Sequence, residues 1–111
     1  MTDRELLVKA AKAADINIKM DRFDADDQFI GFIVGARNTN QRSAWNPLTD
    51  DGDALRLAVK RSISVDPRSD AVVALSEDGK YLAMEIGCGD SLFVATRRAI
   101  VRVAAAIGAS L

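Results

Sequence analysis

Three aspartates around a glycine are the residues of this chain that most resemble a site for chemistry. Asp50, Asp51 and Asp53 surround Gly52 in the stretch WNPLTDDGDALRLAVKR, and carboxylates grouped in this way can bind a divalent cation. The calcium-loop register fails, because placing Gly52 at the invariant glycine puts a proline and an alanine at the first and last ligand positions. Acids at a helix start instead cap free N–H groups, which stabilises the helix by about 0.3–1 kcal/mol each. We therefore predict a capped helix with no metal, and a metal-dependent enzyme ranks last among the possible functions.

The densest basic cluster lies near the C-terminal end of the sequence. Arg97, Arg98 and Arg102 carry guanidinium groups, which bind phosphate and carboxylate through paired N–H donors. The cluster predicts a ligand-binding site for a small anion, and the competing interpretation is a solvated helix face. Trp45 joins this candidate site as a platform on which a planar ligand can stack. The absence of a second aromatic residue beside it favours the alternative that its indole anchors the core.

The composition excludes most catalytic mechanisms. The chain has no histidine and a single cysteine, Cys88, so it lacks the base of a catalytic triad, a disulfide and the usual zinc ligands. Cys88 lies between two glycines ahead of a predicted helix, where a thiol can be activated, but glycines equally suit a tight turn. We predict a protein without enzymatic activity and without a cofactor.

The charge balance and the hydropathy limit the partners and the location. Fifteen basic and sixteen acidic residues give a net charge of −1, which disfavours non-specific nucleic-acid binding. No run approaches the ~20 apolar residues that a membrane span requires, and the opening MTDREL lacks the apolar segment of a signal peptide. We expect a cytoplasmic protein with no membrane and no nucleic-acid partner.

Hydrophobic periodicity predicts three helices and about six strands in a single domain, residues 1–111. The helical period covers residues 2–14, 50–61 and 91–107. Strand patterns cover residues 16–20, 29–35, 44–45, 62–66, 71–76 and 80–86, with Asp78-Gly79 marking a hairpin turn. Paired strands separated by single helices predict an α+β fold, with a mainly antiparallel sheet covered by helices in an α/β/α sandwich. FIGFIVG and AVVAL are apolar on both faces, so helices or a partner chain must cover each side.

Two helices carry apolar residues on a second side. In the last helix Val94 and Val101 lie opposite the main apolar stripe, and in the middle helix Leu57 is predicted to project outward between Arg56 and Arg61. Apolar side chains ringed by arginines are typical of the centre of a protein interface. These five residues therefore predict a homodimer interface.

Three stretches of the chain together resemble the phage ABA sandwich domain family. They are LLVKAAKAADINI, WNPLTDDGDALRLAVKR and ATRRAIVRVAAAIG, and they extend the resemblance over nearly the whole length. The family comprises small phage and prophage proteins without an assigned activity, so the resemblance implies layers of helix, sheet and helix but no functional residues. It also implies an accessory protein made inside a bacterial host.

This context ranks two hypotheses of function. The first is a non-enzymatic homodimer that binds an anionic small molecule, such as a nucleotide signal of host defence, and so acts as a sponge. The alternative is a protein-protein inhibitor or regulator that docks on a host factor through the surfaces at Leu57 and Val101.

Overall fold

The computed structural model describes all 111 residues, and two of its three helices begin at side-chain caps. Helix α1 (Asp3–Ala13) follows Thr2, whose hydroxyl oxygen accepts the N–H of Glu5 at 3.1 Å. Helix α2 (Asp51–Lys60) follows Asp50, whose carboxylate accepts the N–H of Asp53 at 2.8 Å. The capping role predicted for this acidic run is thereby confirmed. Helix α3 (Ser91–Ala109) has no side-chain cap. None of the three is both long and apolar enough to cross a membrane.

The six strands form two separate antiparallel sheets. The first sheet has the order β1 (Ile18–Phe23), β2 (Phe29–Val34), β3 (Ser43–Trp45), and the second has the order β4 (Ser64–Pro67), β5 (Ala71–Leu75), β6 (Leu82–Ile86). The two strands that are apolar on both faces, β2 and β5, are the central strands. Asp78-Gly79 turns β5 into β6 as predicted, with Gly79 at a φ of 74°.

The α+β class with antiparallel strands is confirmed, and helix α3 packs against both sheets. The division of the strands into two sheets is a feature that the periodicity did not predict. Asn46 and the buried Pro47 follow β3 directly, and proline has no N–H to extend a strand ladder. Helix α2 then separates β3 from β4, so the second half of the chain begins a new sheet.

Helix α3 is the central element, and nine of its nineteen residues are buried. Asp3 at the start of α1 pairs with Arg98 at 3.1 Å, and Asp51 at the start of α2 pairs with Arg97 at 2.7 Å. Both helices therefore lie along α3, which also contacts every strand of the second sheet. The second apolar stripe of α3 is covered by this chain itself. Val101 is completely buried, so its assignment to a homodimer interface is wrong.

Helix α2 is rotated about its own axis, by roughly the 100° between successive residues, from the orientation that its sequence suggested. Leu57 is 2% exposed, whereas Leu55 and Val59 are 64% and 71% exposed. The prediction that Leu57 projects outward is therefore wrong. Ala54, Leu57 and Ala58 share one stripe, and Leu55 and Val59 share another about 100° away. Alanines allow two helices to approach closely. The stripe with the smaller side chains is therefore the one that packs against α3.

Helices α1 and α3 come into backbone contact near their C-terminal ends. A methyl group placed on Gly108 would lie 1.9 Å from the carbonyl oxygen of Lys9 and 3.3 Å from the backbone nitrogen of Ala13. Only glycine fits between the two helices at this point.

Candidate functional site

The stretch that follows β3 is a hydrogen-bonded connection between the first sheet and α2. The side-chain amide of Asn46 donates to the carbonyl of Ile30 at 3.0 Å, and its side-chain oxygen accepts the N–H of Leu48 at 3.0 Å. The backbone N–H of Asn46 donates to the carboxylate of Asp53 at 3.0 Å. Trp45, at the start of this connection, is 5% exposed and belongs to the core. Its predicted role as a stacking platform in the ligand site is wrong, because no face of a buried indole is open to a ligand.

Each of the three clustered aspartates has a structural partner. Asp50 caps α2, Asp51 pairs with Arg97, and Asp53 accepts hydrogen bonds from the N–H of Asn46 and, at 2.7 Å, from Arg56. No group of three or more Asp, Glu, His or Cys side chains is arranged to hold a metal ion. These carboxylates therefore fix the position of α2.

The three arginines of α3 point to two different places. Arg97 donates to the carbonyl of Leu48 at 2.8 Å and to Asp51 at 2.7 Å, and only 16% of its side chain is exposed. It thus joins α3 to the start of α2, away from the other two arginines. Its predicted place in a shared anion site with them is wrong, because residues 97 and 98 are adjacent in a helix and diverge by about 100°.

Arg98 and Arg102 lie one helical turn apart and line a groove between α1 and α3. The groove encloses about 490 Å³, and its charged side chains are Lys9, Glu85, Arg98 and Arg102. Its apolar lining comes from Met1 and Leu6 and from alanines in the last turns of α3. We call this feature the α1–α3 groove. It brings together two of the four residues predicted for ligand binding and adds Lys9, which was not predicted because it lies 89 residues from Arg98 in the sequence.

Acids already contact both arginines of the groove. Arg102 donates to Glu85 at 2.9 Å and to the carbonyl of Met84 at 3.2 Å. Arg98 contacts Asp3 at 3.1 Å and Glu85 at 3.7 Å. Each guanidinium has five N–H donors, so both keep donors for a further acceptor. The ammonium of Lys9 contacts only the sulfur of Met1, at 3.9 Å.

The predicted interface residues do not form an exposed apolar patch. Leu57 and Val101 are buried. Arg56 is exposed and pairs with Asp53, and Val94 is 54% exposed on α3. Arg61 is half-buried, and its Nε is buried without a hydrogen-bond partner. With two of its three apolar members buried, the predicted patch lacks its centre.

Two charged groups have pKa values shifted by their hydrogen bonds. In the β5–β6 turn, Asp78 accepts the N–H of Lys80 at 3.0 Å and the hydroxyl of Ser76 at 2.7 Å, and these bonds lower the pKa of its carboxyl below the ordinary value of 3.8. The hydrogen bond of Arg4 to Asp21, at 2.8 Å, raises the pKa of the guanidinium. Both groups are exposed and stabilise local structure, the hairpin turn in one case and the contact of α1 with β1 in the other.

Cys88 is exposed, and its surroundings form a turn. Its backbone N–H donates to the hydroxyl of Ser91 at 2.8 Å, and that hydroxyl donates to the carbonyl of Cys88 at 2.8 Å. The pair closes the connection between β6 and α3, which accounts for the residues around Cys88 without a catalytic role.

The outer face of the second sheet is apolar, as the pattern of AVVAL indicated, but the predicted interface residues do not lie on it. Cross-strand pairs place Ala71 opposite Ile86, Val73 opposite Met84, and Leu75 opposite Leu82. Residues opposite each other share a face, and the alternate residues Val72, Ala74 and Ala83 are buried on the other side. Leu82, Met84 and Ile86 are 63%, 56% and 81% exposed. Their alternation along β6 was the signal available in the sequence.

No family model, curated protein or solved structure matches this chain. The resemblance to the phage ABA sandwich domain family therefore stays a prediction, carried by the three stretches quoted above.

Proposed function

We propose that this protein is a non-enzymatic binding protein that holds a small anionic molecule in the α1–α3 groove. The observation that carries the proposal is the convergence of Lys9, Arg98 and Arg102 on one open groove of about 490 Å³. Three cations face two carboxylates, those of Glu85 and Asp3. The groove therefore has an excess of positive charge in a chain whose net charge is −1.

The existing ion pairs do not prevent an anion from binding. The side chains of Arg98 and Arg102 are 38% and 44% exposed, and exposed ion pairs contribute only about 0–1 kcal/mol each. A phosphate or carboxylate that accepts hydrogen bonds from both guanidinium groups at once replaces several such weak contacts with one acceptor, and paired guanidinium–anion bonds are the stronger kind. The ligand thus replaces Glu85 as the main acceptor, and Glu85 moves aside.

The lining of the groove favours an anion that also has an apolar part. Leu6 and the alanines of α3 provide apolar contact area next to the cations. No aromatic residue lines the groove, so recognition rests on charge and apolar contact rather than on stacking. A nucleotide signal of host defence is the ligand class that the phage resemblance suggests, and binding it would make the protein a sponge. The alternative, docking on a host factor through Leu57 and Val101, loses both of its residues because they are buried.

Isothermal titration calorimetry at low salt tests the proposal. The probes are ATP, a cyclic dinucleotide, inorganic pyrophosphate and decanoate, which separate phosphate, base and apolar contributions. We expect at least one probe to bind with one site per chain, and Arg102→Gln to weaken its binding by about tenfold through the loss of a charge-assisted bond. Glu85→Gln removes the negative charge that competes with the ligand, so we expect it to strengthen binding.

The matched control is Arg56→Gln, which also removes one exposed, ion-paired arginine but lies on α2. It is expected to leave the affinity unchanged. The absence of binding by all four probes, or an equal loss from Arg56→Gln and Arg102→Gln, contradicts the proposal.

A further inference from the structure

The outer face of the second sheet is exposed, although the apolar pattern of β5 predicts that both of its faces are covered. Strand β5 is apolar on both sides, and α3 covers only the side that carries Val72 and Ala74. On the other side the six apolar residues Ala71, Val73, Leu75, Leu82, Met84 and Ile86 form one continuous face of two strands. Contiguous exposed apolar surface of this kind marks an association site on a folded protein.

We propose that this outer face packs against the same face of a second copy of the chain, forming a two-fold homodimer. The proposal is independent of the α1–α3 groove, which lies at α3 on the opposite side of the sheet. Two antiparallel sheets stack face to face about 10 Å apart with interdigitating side chains. The cross-strand pairs around Val73 and Met84 supply such side chains. A two-fold axis brings the same surface of both copies into contact, so a single surface can serve as both sides of the interface.

The charges around the face fit a second copy better than a charged partner. Asp66 is the one charged residue that the β4–β5 register places on this face, opposite Val73. It already pairs with Arg68 at 2.8 Å, so the face carries no net charge to attract an acidic or basic protein.

The area reaches the lower limit of what a specific dimer needs. Leu82, Met84 and Ile86 are more than half exposed, and with the half-buried β5 residues and the polar rim the face offers roughly 500 Å² per copy, so that two copies bury about 1,000 Å², the minimum for a specific interface. Association through the β6 edge of the sheet is disfavoured, because Arg102 already donates to the Met84 carbonyl of that strand.

Sedimentation velocity over a concentration range of about 1 to 200 µM tests the proposal. We expect the wild-type chain to approach twice the monomer mass of 12.0 kDa. Met84→Lys places a charge at the centre of the interface and is expected to raise the dimer dissociation constant by about 30-fold or more. Its side chain is already 56% exposed, so the far-UV circular dichroism of the monomer is expected to match that of the wild type. Ile86→Lys, at an 81% exposed position, repeats the test on the same face.

The control is Val59→Lys, which introduces the same charge at a 71% exposed valine on α2. A wild-type dimer that Met84→Lys or Ile86→Lys dissociates and Val59→Lys leaves intact supports the proposal. A wild-type chain that stays monomeric at the highest concentration overturns it, which would leave the face to a different protein. A dimer that survives both β6 substitutions also overturns it.

Discussion

The backbone contact between α1 and α3 at Gly108 makes a sharp prediction, because two effects of a methyl group oppose each other there. Gly108→Ala raises the helix propensity of α3, which by itself stabilises a helix by about 1 kcal/mol. The same methyl group would lie 1.9 Å from the carbonyl oxygen of Lys9, whereas real contacts of this kind are not shorter than about 3 Å. The helices must therefore move apart by about 1 Å, which loosens the packing of α1 on α3.

The steric effect is expected to outweigh the propensity. Overpacking of a rigid core costs about 1–3 kcal/mol, and the upper end applies because the obstacle is helix backbone and not a flexible side chain. After the gain in propensity, Gly108→Ala is expected to lose about 2 kcal/mol of unfolding free energy, which lowers Tm by roughly 8 °C or more. Urea unfolding gives the free energy and calorimetry gives Tm.

Gly52 in α2 provides the matched control. A methyl group there would meet the guanidinium of Arg56 at 3.2 Å and the carboxylate of Asp50 at 3.2 Å, and the exposed Arg56 side chain can move away. Gly52→Ala is therefore expected to leave Tm unchanged or slightly raised, because the propensity gain is not opposed by backbone. If Gly108→Ala is as stable as the wild type, or loses no more unfolding free energy than Gly52→Ala, the close packing of α1 on α3 is refuted.

Three further predictions concern the core, the connection after β3 and the β5–β6 turn. Leu57→Ala is expected to cost about 2–5 kcal/mol in urea unfolding, whereas Leu55→Ala, at an exposed position, is expected to cost less than about 1 kcal/mol; equal losses would contradict the rotation of α2. Asn46→Ala leaves the carbonyl of Ile30 without its donor and is expected to lose about 1–3 kcal/mol, measured in the same way. Because the pKa of Asp78 is lowered, its stabilising contribution is fully present above its ordinary value of 3.8 and disappears as the pH falls through the lower value of the folded state. The difference in Tm between the wild type and Asp78→Asn is therefore expected to shrink as the pH is lowered below about 4, and a constant difference would argue against the shift.

Local patterns predicted the elements well because their determinants are close together in sequence. The cap at Asp50 and the turn at Gly79 each depend on residues within a few positions, and both are where the sequence indicated. The rotation of α2 was not predictable in this way. Two apolar stripes on one short helix differ little in hydrophobicity, and the choice between them depends on the shape of α3, some 40 residues later.

The candidate site was only partly predictable for a similar reason. The chemistry of Arg98 and Arg102 was visible in the sequence, but their partners Asp3 and Glu85 and their neighbour Lys9 come from other elements. A basic cluster therefore indicates which groups are present, and the fold decides which of them share a groove. Arg97 illustrates the limit, since one step along the same helix directs it to α2.

The central position of α3 also has a consequence for the order in which the protein folds. It is the last of the nine elements along the chain, yet α1, α2 and the second sheet all pack on it. Contacts such as that of Asp3 with Arg98 close loops of nearly the full chain length, which slows folding relative to a bundle of locally paired helices. On the ribosome, the earlier elements have no surface on which to complete their packing until α3 has emerged. The apolar faces of the earlier elements therefore stay uncovered until that point, a period in which binding by chaperones has its greatest effect.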